Sequence, residues 1–542
     1  MRSLLVLIPI ALFPCLLSSQ SAENRPKLVV GIVVDQMRND YLQRYSDLYS
    51  DDGFKKLMSE GFYAANHHFS YMPTTTAPGH ASVYTGTTPA VHGIAGNDWY
   101  DPIKKKEFYC VQDKSVKTIG LDNKSGQMSP RNLRTTTITD ELKVYWNNRS
   151  KVIGVSLKDR GSILPAGHLA DAAYWYDDQT FISSSFYMDE LPKWVRKFNE
   201  DKKVDEYLSL GWDLLHEREK YVASLPDDNP YESIHAGESA PTLPKDLEAL
   251  AEQNGKDKIL KQSPWGNRLV MEFGKRAVLE EGLGKDDITD FLALSFSTPD
   301  HMGHAYGPRA LEIQDMYLRL DMEIAGLLEF LDKEVGEGQY LVMLTADHGA
   351  AEVPQFSIDS ELPGGYFDTK SGREIIAEAL LKIDSVGSDM IEKIEGNHVY
   401  FNREVLEEVD VELDDLAEYL SEVIADLPGV YSAYPTTEVR LSGSEEFPLR
   451  ALQRGIHPTL SGDVVFVLES GWITYGPTGT THGSPWNYDS HIPLLIYGGG
   501  ISSQTIYRET NIRDIAPTLC ILMGIPFPSG LTGQPITEVL IK

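Results

Sequence analysis

Short apolar runs rich in β-branched residues recur along this chain of 542 residues, and polar side chains follow them directly. The first run, Leu-Val-Val-Gly-Ile-Val-Val at 28–34, is followed by Asp35. Such a run is typical of a strand that is buried on both faces, as in a parallel sheet covered by helices. Because functional groups gather at the carboxyl ends of strands in open α/β sheets, we expect the residues that follow these runs to lie close together.

Further runs have the same form and carry charged residues or histidines beyond their ends. They are 151–157 with Lys158 and Arg160, 290–297 with Asp300 and His304, 340–344 with Asp347 and His348, and 493–497, which follows His482. The pattern predicts an α/β fold with a mostly parallel central sheet, helices on both faces and cap insertions.

Two long stretches interrupt the alternation of strands and helices and predict excursions from the core. The predicted divisions are a signal peptide at 1–21, a catalytic core in three parts at 22–164, 291–355 and 476–542, a cap insertion at 165–290, and a second excursion over the site at 356–475. Within the cap we expect helices at 204–218 and 268–281. The polar, irregular stretch 101–135 carries no chemistry that the sequence identifies.

The N-terminus has the form of a secretory signal. Arg2 precedes an apolar run from Leu4 to Leu17, and small residues follow it up to Ser21, where we expect cleavage. The run is short for a membrane span, and no later stretch is apolar and long enough for one. We therefore predict a periplasmic or secreted protein without stable membrane insertion; the alternative is a lipoprotein anchored at Cys15. With two further cysteines, the chain does not depend on disulfides.

The formal net charge of −31 argues against a nucleic-acid partner, because the phosphate backbone would be repelled. A protein this acidic that handles phosphate needs a strongly positive local site. Lys158 and Arg160 are candidates: with a strand period of two they point the same way and Asp159 the opposite way, so that both cations can hold one anion. A solvated charge cluster is the alternative interpretation.

A stiff segment at 73–80, Pro-Thr-Thr-Thr-Ala-Pro-Gly-His, offers a nucleophile. Its prolines restrict the backbone, which places Thr76 in a rigid turn rather than in the middle of a helix. A helix that begins near Thr76 would direct its free N–H groups at an anion. Asn97 follows two glycines that allow its backbone to approach a ligand closely. The alternatives without a functional role are an ordinary polar loop at 73–80 and a turn residue at Asn97.

Imidazole and carboxylate donors together suit zinc, and the residues beyond the apolar runs supply enough of them for two ions. A histidine four residues from a carboxylate is weak evidence, but several such clusters beside strands are stronger. The predicted ligands are Asp300, His304 and His482 for one ion, and Asp35, Asp347, His348 and the Thr76 oxygen for the other.

In this order, the motifs resemble the alkaline phosphatase superfamily on its nucleotide pyrophosphatase/phosphodiesterase branch. The motifs are Asp35, Pro-Thr-x-Thr-x-Pro-x-His at 73–80, Asn97, Asp300 to His304, Asp347-His348-Gly349 and His482-Gly483. Within that branch, Lys158-Asp159-Arg160 resembles the single-chain PafA-type alkaline phosphatases. The resemblance implies an alkaline-phosphatase-like core, two Zn²⁺ ions, phosphate monoester substrates and a monomer.

The resemblance also implies the role of each residue. Thr76 is the nucleophile, activated by the ion at Asp35, Asp347 and His348, and it forms a covalent phosphothreonine. Asn97 contacts the phosphoryl group, and so do Lys158 and Arg160. With both cations present the site keeps a net positive charge that matches a monoester dianion. Without these two cations the site would be neutral, and it would then accept diesters and monoanions with less selectivity.

Several other functions remain open at this stage. The nearest is a phosphodiesterase or nucleotide pyrophosphatase of the same branch. A sulfatase lacks support because Thr-Ala-Pro-Gly-His at 76–80 is not a Cys/Ser-x-Pro-x-Arg motif. A cofactor-independent phosphoglycerate mutase would use serine and would not be exported. A binding protein without turnover would not need the Thr76 hydroxyl.

Overall fold

The computed structural model describes residues 25–540. The predicted signal peptide at 1–21 and the candidate lipidation site Cys15 lie outside the described residues. Within residues 25–540, no helix is long and apolar enough to cross a membrane. Cys110 and Cys520 are both free and buried.

The strands are short, and most of them are buried. They are β1 (Leu28–Val34), β2 (Phe62–Ala64), β3 (His67–His68), β4 (Asp98–Asp101), β5 (Lys106–Tyr109), β6 (Thr118–Ile119), β7 (Val152–Ser156), β8 (Ala172–Asp177), β9 (Thr180–Ser184), β10 (Asp290–Phe296), β11 (Tyr340–Thr345), β12 (Gly365–Tyr366), β13 (Ile391–Glu395), β14 (His398–Phe401), β15 (Val430–Pro435), β16 (Val464–Leu468), β17 (Trp472–Ile473), β18 (His491–Ile492), β19 (Leu494–Gly498), β20 (Gln504–Ile506) and β21 (Thr510–Asn511).

Helices connect these strands. They are α1 (Tyr41–Arg44), α2 (Phe54–Glu60), α3 (Thr76–Thr85), α4 (Pro89–His92), α5 (Ile138–Tyr145), α6 (Asp159–Ala166), α7 (Lys193–Glu200), α8 (Lys203–Ser209), α9 (Leu247–Asn254), α10 (Lys256–Lys261), α11 (Trp265–Glu281), α12 (Thr298–Tyr306), α13 (Leu311–Leu331), α14 (Pro354–Asp359), α15 (Thr369–Leu380), α16 (Arg403–Glu408), α17 (Leu413–Ala425), α18 (Thr436–Ser442), α19 (Leu449–Gly455), α20 (Asn487–Ser490) and α21 (Ile515–Met523).

The central sheet has ten strands in the order β20-β2-β19-β11-β1-β10-β7-β8-β9-β6. Its middle, from β11 through β1, β10 and β7 to β8, is entirely parallel. Antiparallel strands β19 and β9 flank that middle. Every residue of β1, β10 and β11 is buried, which explains why these strands read as continuous apolar runs. The predicted α/β class is confirmed.

The predicted excursions have different structures. Residues 165–290 contain helices, but they also add β8 and β9 to the central sheet. Residues 356–475 contain the separate four-stranded sheet β13-β14-β16-β15, which packs with α15 and α17 around its own apolar cluster. The expected helix at 204–218 is wrong beyond Ser209, because Gly211 takes a positive φ of 61° and Trp212 then pairs with Lys245.

Candidate active site

Polar residues gather at the carboxyl ends of the parallel strands, as the sequence predicted. Asp35 directly follows β1, and Asp347 and His348 follow β11, its neighbour on one side. On the other side, α12 begins two residues after β10 and carries Asp300 in its first turn. Because these three strands are adjacent and parallel, their ends deliver all three aspartates to one edge of the sheet.

Asp300 is the meeting point of one histidine pair. His304 lies one turn further along α12, and its Nε2 is 3.2 Å from Asp300 Oδ1. His482, from the loop before α20, places Nε2 3.5 Å from the same oxygen. These three residues form the first candidate metal group, and they are the set that the sequence predicted for one ion.

A second candidate group consists of Asp35, His348 and again Asp300, so that Asp300 belongs to both groups. His348 Nε2 lies 3.3 Å from Asp35 Oδ1. The sequence predicted Asp347 rather than Asp300 in this set. Asp347 Oδ2 lies 3.6 Å from His348 Nε2, close but outside the cluster of donor atoms, so its role as a ligand stays a prediction.

The three histidines are oriented in the same way. The Nδ1 atoms of His304, His348 and His482 lie 2.7–3.0 Å from the backbone carbonyls of Thr480, Gly349 and Thr74, respectively. A carbonyl oxygen can only accept, so each Nδ1 carries a proton, and in the neutral ring the lone pair is therefore on Nε2. That is the tautomer and orientation that a histidine needs to bind a metal ion through Nε2.

Buried donor atoms without partners mark the same place. Within residues 25–540, Asp35 Oδ1, Asp347 Oδ2 and His348 Nε2 have almost no solvent exposure and accept or donate no hydrogen bond. Burying a polar atom without a partner is costly, and here three such atoms converge. The donor set, the tautomers and the orphaned atoms together fit metal ions.

Electrostatics hold the pKa values of Asp35 and Asp300 below their ordinary range, whereas burial and the nearby Asp35 raise the pKa of Asp347. Burial acts to raise the pKa of Asp35, and so does the nearby Asp300. Lys158 and His348 outweigh both effects and hold that pKa below its ordinary value. Burial acts to lower the pKa of His348, but Asp347 and Asp35 raise it to about 9. Ionised carboxylates are the form that binds metal ions.

Thr76 begins α3, a helix in which every residue is buried. The expected position in a rigid turn at a helix N-terminus is therefore found, and Thr75 is the extended N-cap residue. Asn97 lies beside this helix start, because its Oδ1 accepts a hydrogen bond of 2.8 Å from the backbone N–H of Ala77. That bond leaves the Nδ2 amino group of Asn97 as a donor for a ligand.

Lys158 lies inside the cluster. Its Nζ is 2.6 Å from Asp35 Oδ2 and from Asp300 Oδ2, and 3.5 Å from Thr76 Oγ1. The expected strand period at this point is wrong: β7 ends at Ser156, and Lys158 is instead the N-cap of α6. The helix starts early because Ser156 Oγ accepts from the Lys158 N–H, which turns the chain.

Arg160 lies in the first turn of α6, and its Nη1 donates to the hydroxyl of Tyr109 over 3.0 Å. Tyr109 in turn donates to Asp159, so the three side chains form one network. Burial acts to lower the pKa of Arg160, but Tyr109, Asp159 and more distantly Asp35 raise it. The sequence analysis assigned no chemistry to residues 101–135. In the structure Tyr109, within that stretch, holds the Arg160 side chain.

The sequence missed two further residues that hold the site. Gln36 donates from Nε2 to Asp300 Oδ1 over 2.8 Å and from its backbone N–H to Asp347 Oδ1 over 3.2 Å. Asp489 Oδ2 accepts from the backbone N–H groups of Gly483 and Ser484, directly after His482. Gln36 could have been found from its place directly after Asp35, whereas nothing in the local pattern marks Asp489.

Comparisons with known proteins agree with this geometry. The family model for type I phosphodiesterase / nucleotide pyrophosphatase matches residues 29–491. A protein from Myroides odoratus named calcium-transporting ATPase is 44% identical over 531 residues, which cover 97% of this chain and 96% of that protein. Alkaline phosphatase PafA from Elizabethkingia meningoseptica is 43% identical over 531 residues, covering 96% and 95%. A crystal structure of wild-type alkaline phosphatase PafA superposes with a TM-score of 0.91 at 42% identity, covering 95% of this chain and 99% of that one.

Proposed function

Because the chain belongs to the type I phosphodiesterase / nucleotide pyrophosphatase family of the alkaline phosphatase superfamily, we propose that it is an exported, zinc-dependent alkaline phosphatase. It hydrolyses phosphate monoesters and releases inorganic phosphate. The observation that carries the proposal is the convergence of two candidate metal groups with Lys158 Nζ, which is 3.5 Å from the hydroxyl of Thr76. The near-full-length similarity to an alkaline phosphatase of known structure supports it.

In the proposed reaction Thr76 Oγ attacks phosphorus, the ester P–O bond breaks, and the leaving oxygen takes up a proton. Water then hydrolyses the phosphothreonine, which returns Thr76 and gives inorganic phosphate. The Asn97 amino group donates to a phosphoryl oxygen. Arg160 and Lys158 supply positive charge for the dianion, Arg160 from a side chain that Tyr109 already orients.

The residues that would hold two zinc ions form two neighbouring sets, and Asp300 lies close to the donor atoms of both. They are Asp300, His304 and His482 for one ion, and Asp35, His348, Asp347 and the Thr76 oxygen for the other. Bound zinc supplies Lewis acidity that lowers the pKa of a hydroxyl and stabilises a leaving oxygen. Gln36 and the three carbonyls behind the histidines keep the ligands oriented for it.

The decisive test combines metal analysis with rates. We expect about two zinc ions per purified chain and a kcat/KM for phenyl phosphate far above that for phenyl methyl phosphate. Acid quenching during turnover should leave phosphate on Thr76, detectable by mass spectrometry of the peptide that contains it. Zinc uptake without turnover or adduct would instead favour a binding protein.

Arg160 separates the monoesterase from the alternative, a phosphodiesterase or nucleotide pyrophosphatase of the same family. We expect Arg160→Ala to lower kcat/KM for the monoester by about 10²-fold and for the methyl diester by less than tenfold, because only the dianion needs the second cation. Equal losses on both substrates would refute this role. Tyr109→Phe, which removes the hydroxyl that links Arg160 and Asp159, should show a smaller loss with the same substrate preference.

The relative named calcium-transporting ATPase makes ATP a useful compound to assay, since hydrolysis of ATP also transfers a terminal phosphoryl group. We place the enzyme in the periplasm or outside the cell, as a monomer, with the signal at 1–21 removed. Mass spectrometry of the mature N-terminus and size-exclusion chromatography with light scattering test these two proposals.

A further inference from the structure

A cavity of about 330 Å³ opens beside the catalytic residues. Asn97, Thr75 and His482 belong both to its lining and to the surroundings of the nucleophile. Its volume lies within the range of about 300–1,000 Å³ that is usual for small-molecule sites. The cavity is therefore connected to the place where the phosphoryl group is transferred.

The far walls come from elements outside the central sheet. The second excursion supplies residues of β14, β16 and β17, and α19 adds Leu452. Most of these side chains are apolar or aromatic. Representative lining residues are Trp99, Tyr400, Leu452, Leu460, Leu468 and Trp472. The Tyr400 hydroxyl donates a hydrogen bond to the Leu460 carbonyl, so Tyr400 presents its ring to the cavity rather than a free polar group.

The charge of the lining has one sign. Among the described residues that line the cavity there is no Lys or Arg, whereas Asp98, Glu395 and Asp489 are acidic. Asp489 accepts hydrogen bonds from backbone N–H groups of the loop that contains His482. Lys393 Nζ lies 3.5 Å from a carboxylate oxygen of Glu395. Lys393 is itself shared with Glu107, so it does not make the wall positive. The described lining offers no lysine or arginine to a negatively charged group, and the nearby Arg160 and Lys393 already face Asp98 and Glu395.

We propose that the cavity receives the leaving group of the monoester and selects ring-bearing leaving groups that are neutral or cationic over anionic ones. The proposal rests on the proposed phosphatase function and adds a substrate class to it. The position of the cavity supports it, because its lining includes Thr75 beside the nucleophile and His482 of the first candidate metal group. Nucleosides and aromatic alcohols have the required chemistry, whereas leaving groups with further phosphates or carboxylates do not.

A pair of matched substrates tests the charge preference. We would compare 3-(carboxymethyl)phenyl phosphate with its carboxamide, which differ in charge but hardly in size or phenol acidity. We expect the carboxamide to have a kcat/KM about tenfold higher, and the ratio to fall to about threefold in Glu395→Gln. Glu408→Gln removes the same charge from the exposed face of α16, outside the cavity, and should leave the ratio unchanged.

A second variant tests occupancy by size. Thr474 is an exposed lining residue, so Thr474→Trp should fold and narrow the cavity. We expect it to lower kcat/KM for 2-naphthyl phosphate by about tenfold while methyl phosphate, whose leaving group is too small to reach the walls, is unaffected. Unchanged rates on both esters, with equal rates on the charge pair, would overturn the proposal. Failure of the parent enzyme to hydrolyse even methyl phosphate would instead count against the phosphatase function.

Discussion

Two buried acidic clusters lie at the starts of the successive helices α12 and α13, and their surroundings favour opposite protonation states. The candidate active site contains Asp35 and Asp300, both with pKa values held below the ordinary range. The other cluster, which we call the glutamate pair, consists of Glu232 from the cap and Glu312 at the start of α13. Burial raises the pKa of Glu312, and burial and the neighbouring Glu312 raise that of Glu232.

Both clusters contain one buried lysine, so the lysine alone does not explain the difference. Lys158 Nζ is 2.6 Å from two carboxylates of the site, whereas Lys245 Nζ is 2.8 Å from Glu238 and only 3.5 Å from Glu312. The glutamate pair also lacks the three histidines that converge on the aspartates. Among residues 25–540, both carboxylate oxygens of Glu312 are buried without a hydrogen-bond partner, yet no candidate metal group includes it.

The comparison teaches that orphaned buried carboxylates do not by themselves indicate a metal site. What distinguishes the candidate active site is that Lys158 and oriented imidazoles converge on Asp35 and Asp300 and favour their ionised forms. The glutamate pair solves the same burial problem by holding protons. The candidate active site presents ionised ligands for a metal ion, whereas the glutamate pair makes a pH-dependent contribution to the free energy of unfolding.

The largest expected effect separates the two clusters by matched removal of one charge. We expect Asp300→Asn to lower kcat/KM for phenyl phosphate by at least about 10³-fold and to reduce the zinc content, because both candidate groups share this residue. Glu312→Gln, on the following helix, should change kcat/KM less than threefold. An Asp300→Asn enzyme with full zinc and full activity would contradict the assignment of the site.

Substitution of the two lysines should have effects of different kinds. Lys245→Met removes the ammonium group that lies 3.5 Å from Glu312 and should lower the free energy of unfolding by about 3 kcal/mol, with normal activity of the folded enzyme. Lys158→Met should lower kcat/KM by about 10²-fold with little change in the stability of the zinc-loaded enzyme. Urea denaturation and kinetics on both variants check this. Loss of stability alone from Lys158→Met would show that its role is structural.

The glutamate pair predicts how stability depends on pH. A carboxyl group whose pKa is raised on folding stabilises the folded state at low pH and loses that contribution as the pH rises. For Glu312 the loss should extend from the ordinary value of 4.5 up to about 7. We expect the parent to lose roughly 2–3 kcal/mol more between pH 4.5 and pH 8 than Glu312→Gln does, measured by urea denaturation at fixed zinc.

An exposed glutamate provides the control for that pH dependence. Glu408→Gln should keep the slope of the parent, because Glu408 is exposed on α16. Parallel stability curves for the parent and Glu312→Gln would show that the pair is not protonated in the folded enzyme.

Much of the central sheet and most of the candidate ligands were predictable from the sequence, for a common reason. A strand buried on both faces leaves a continuous apolar run, and the residue after it, such as Asp35, must lie at the edge of the sheet. Local chemistry also predicted that Thr76 begins a helix rather than lying within one. These features depend on neighbours in the sequence.

Features that depend on distant contacts could not be predicted in this way. Asp300 enters both candidate groups because α12 starts immediately beyond β10, which no periodicity reveals. Tyr109 contacts Arg160 across 51 residues, and the glutamate pair joins residues from separate elements. The early end of β7 at Ser156 depends on a side-chain bond that the apolar pattern does not record.

Gln36 provides the smallest and sharpest test, because it distinguishes an oriented carboxylate from one that is merely buried. It has a positive φ of 64°, and its amide donates to Asp300. Asn tolerates that backbone conformation but its amide is one methylene shorter, so Gln36→Asn should lose the bond without new strain. We expect about tenfold weaker zinc affinity and a similar loss of kcat/KM at limiting zinc, restored by excess zinc, with unchanged thermal stability of the zinc-free protein. Gln43→Asn on α1, which lies outside the site, should leave all three quantities as in the parent. A stability loss that excess zinc does not correct would mean that Gln36 only fills space.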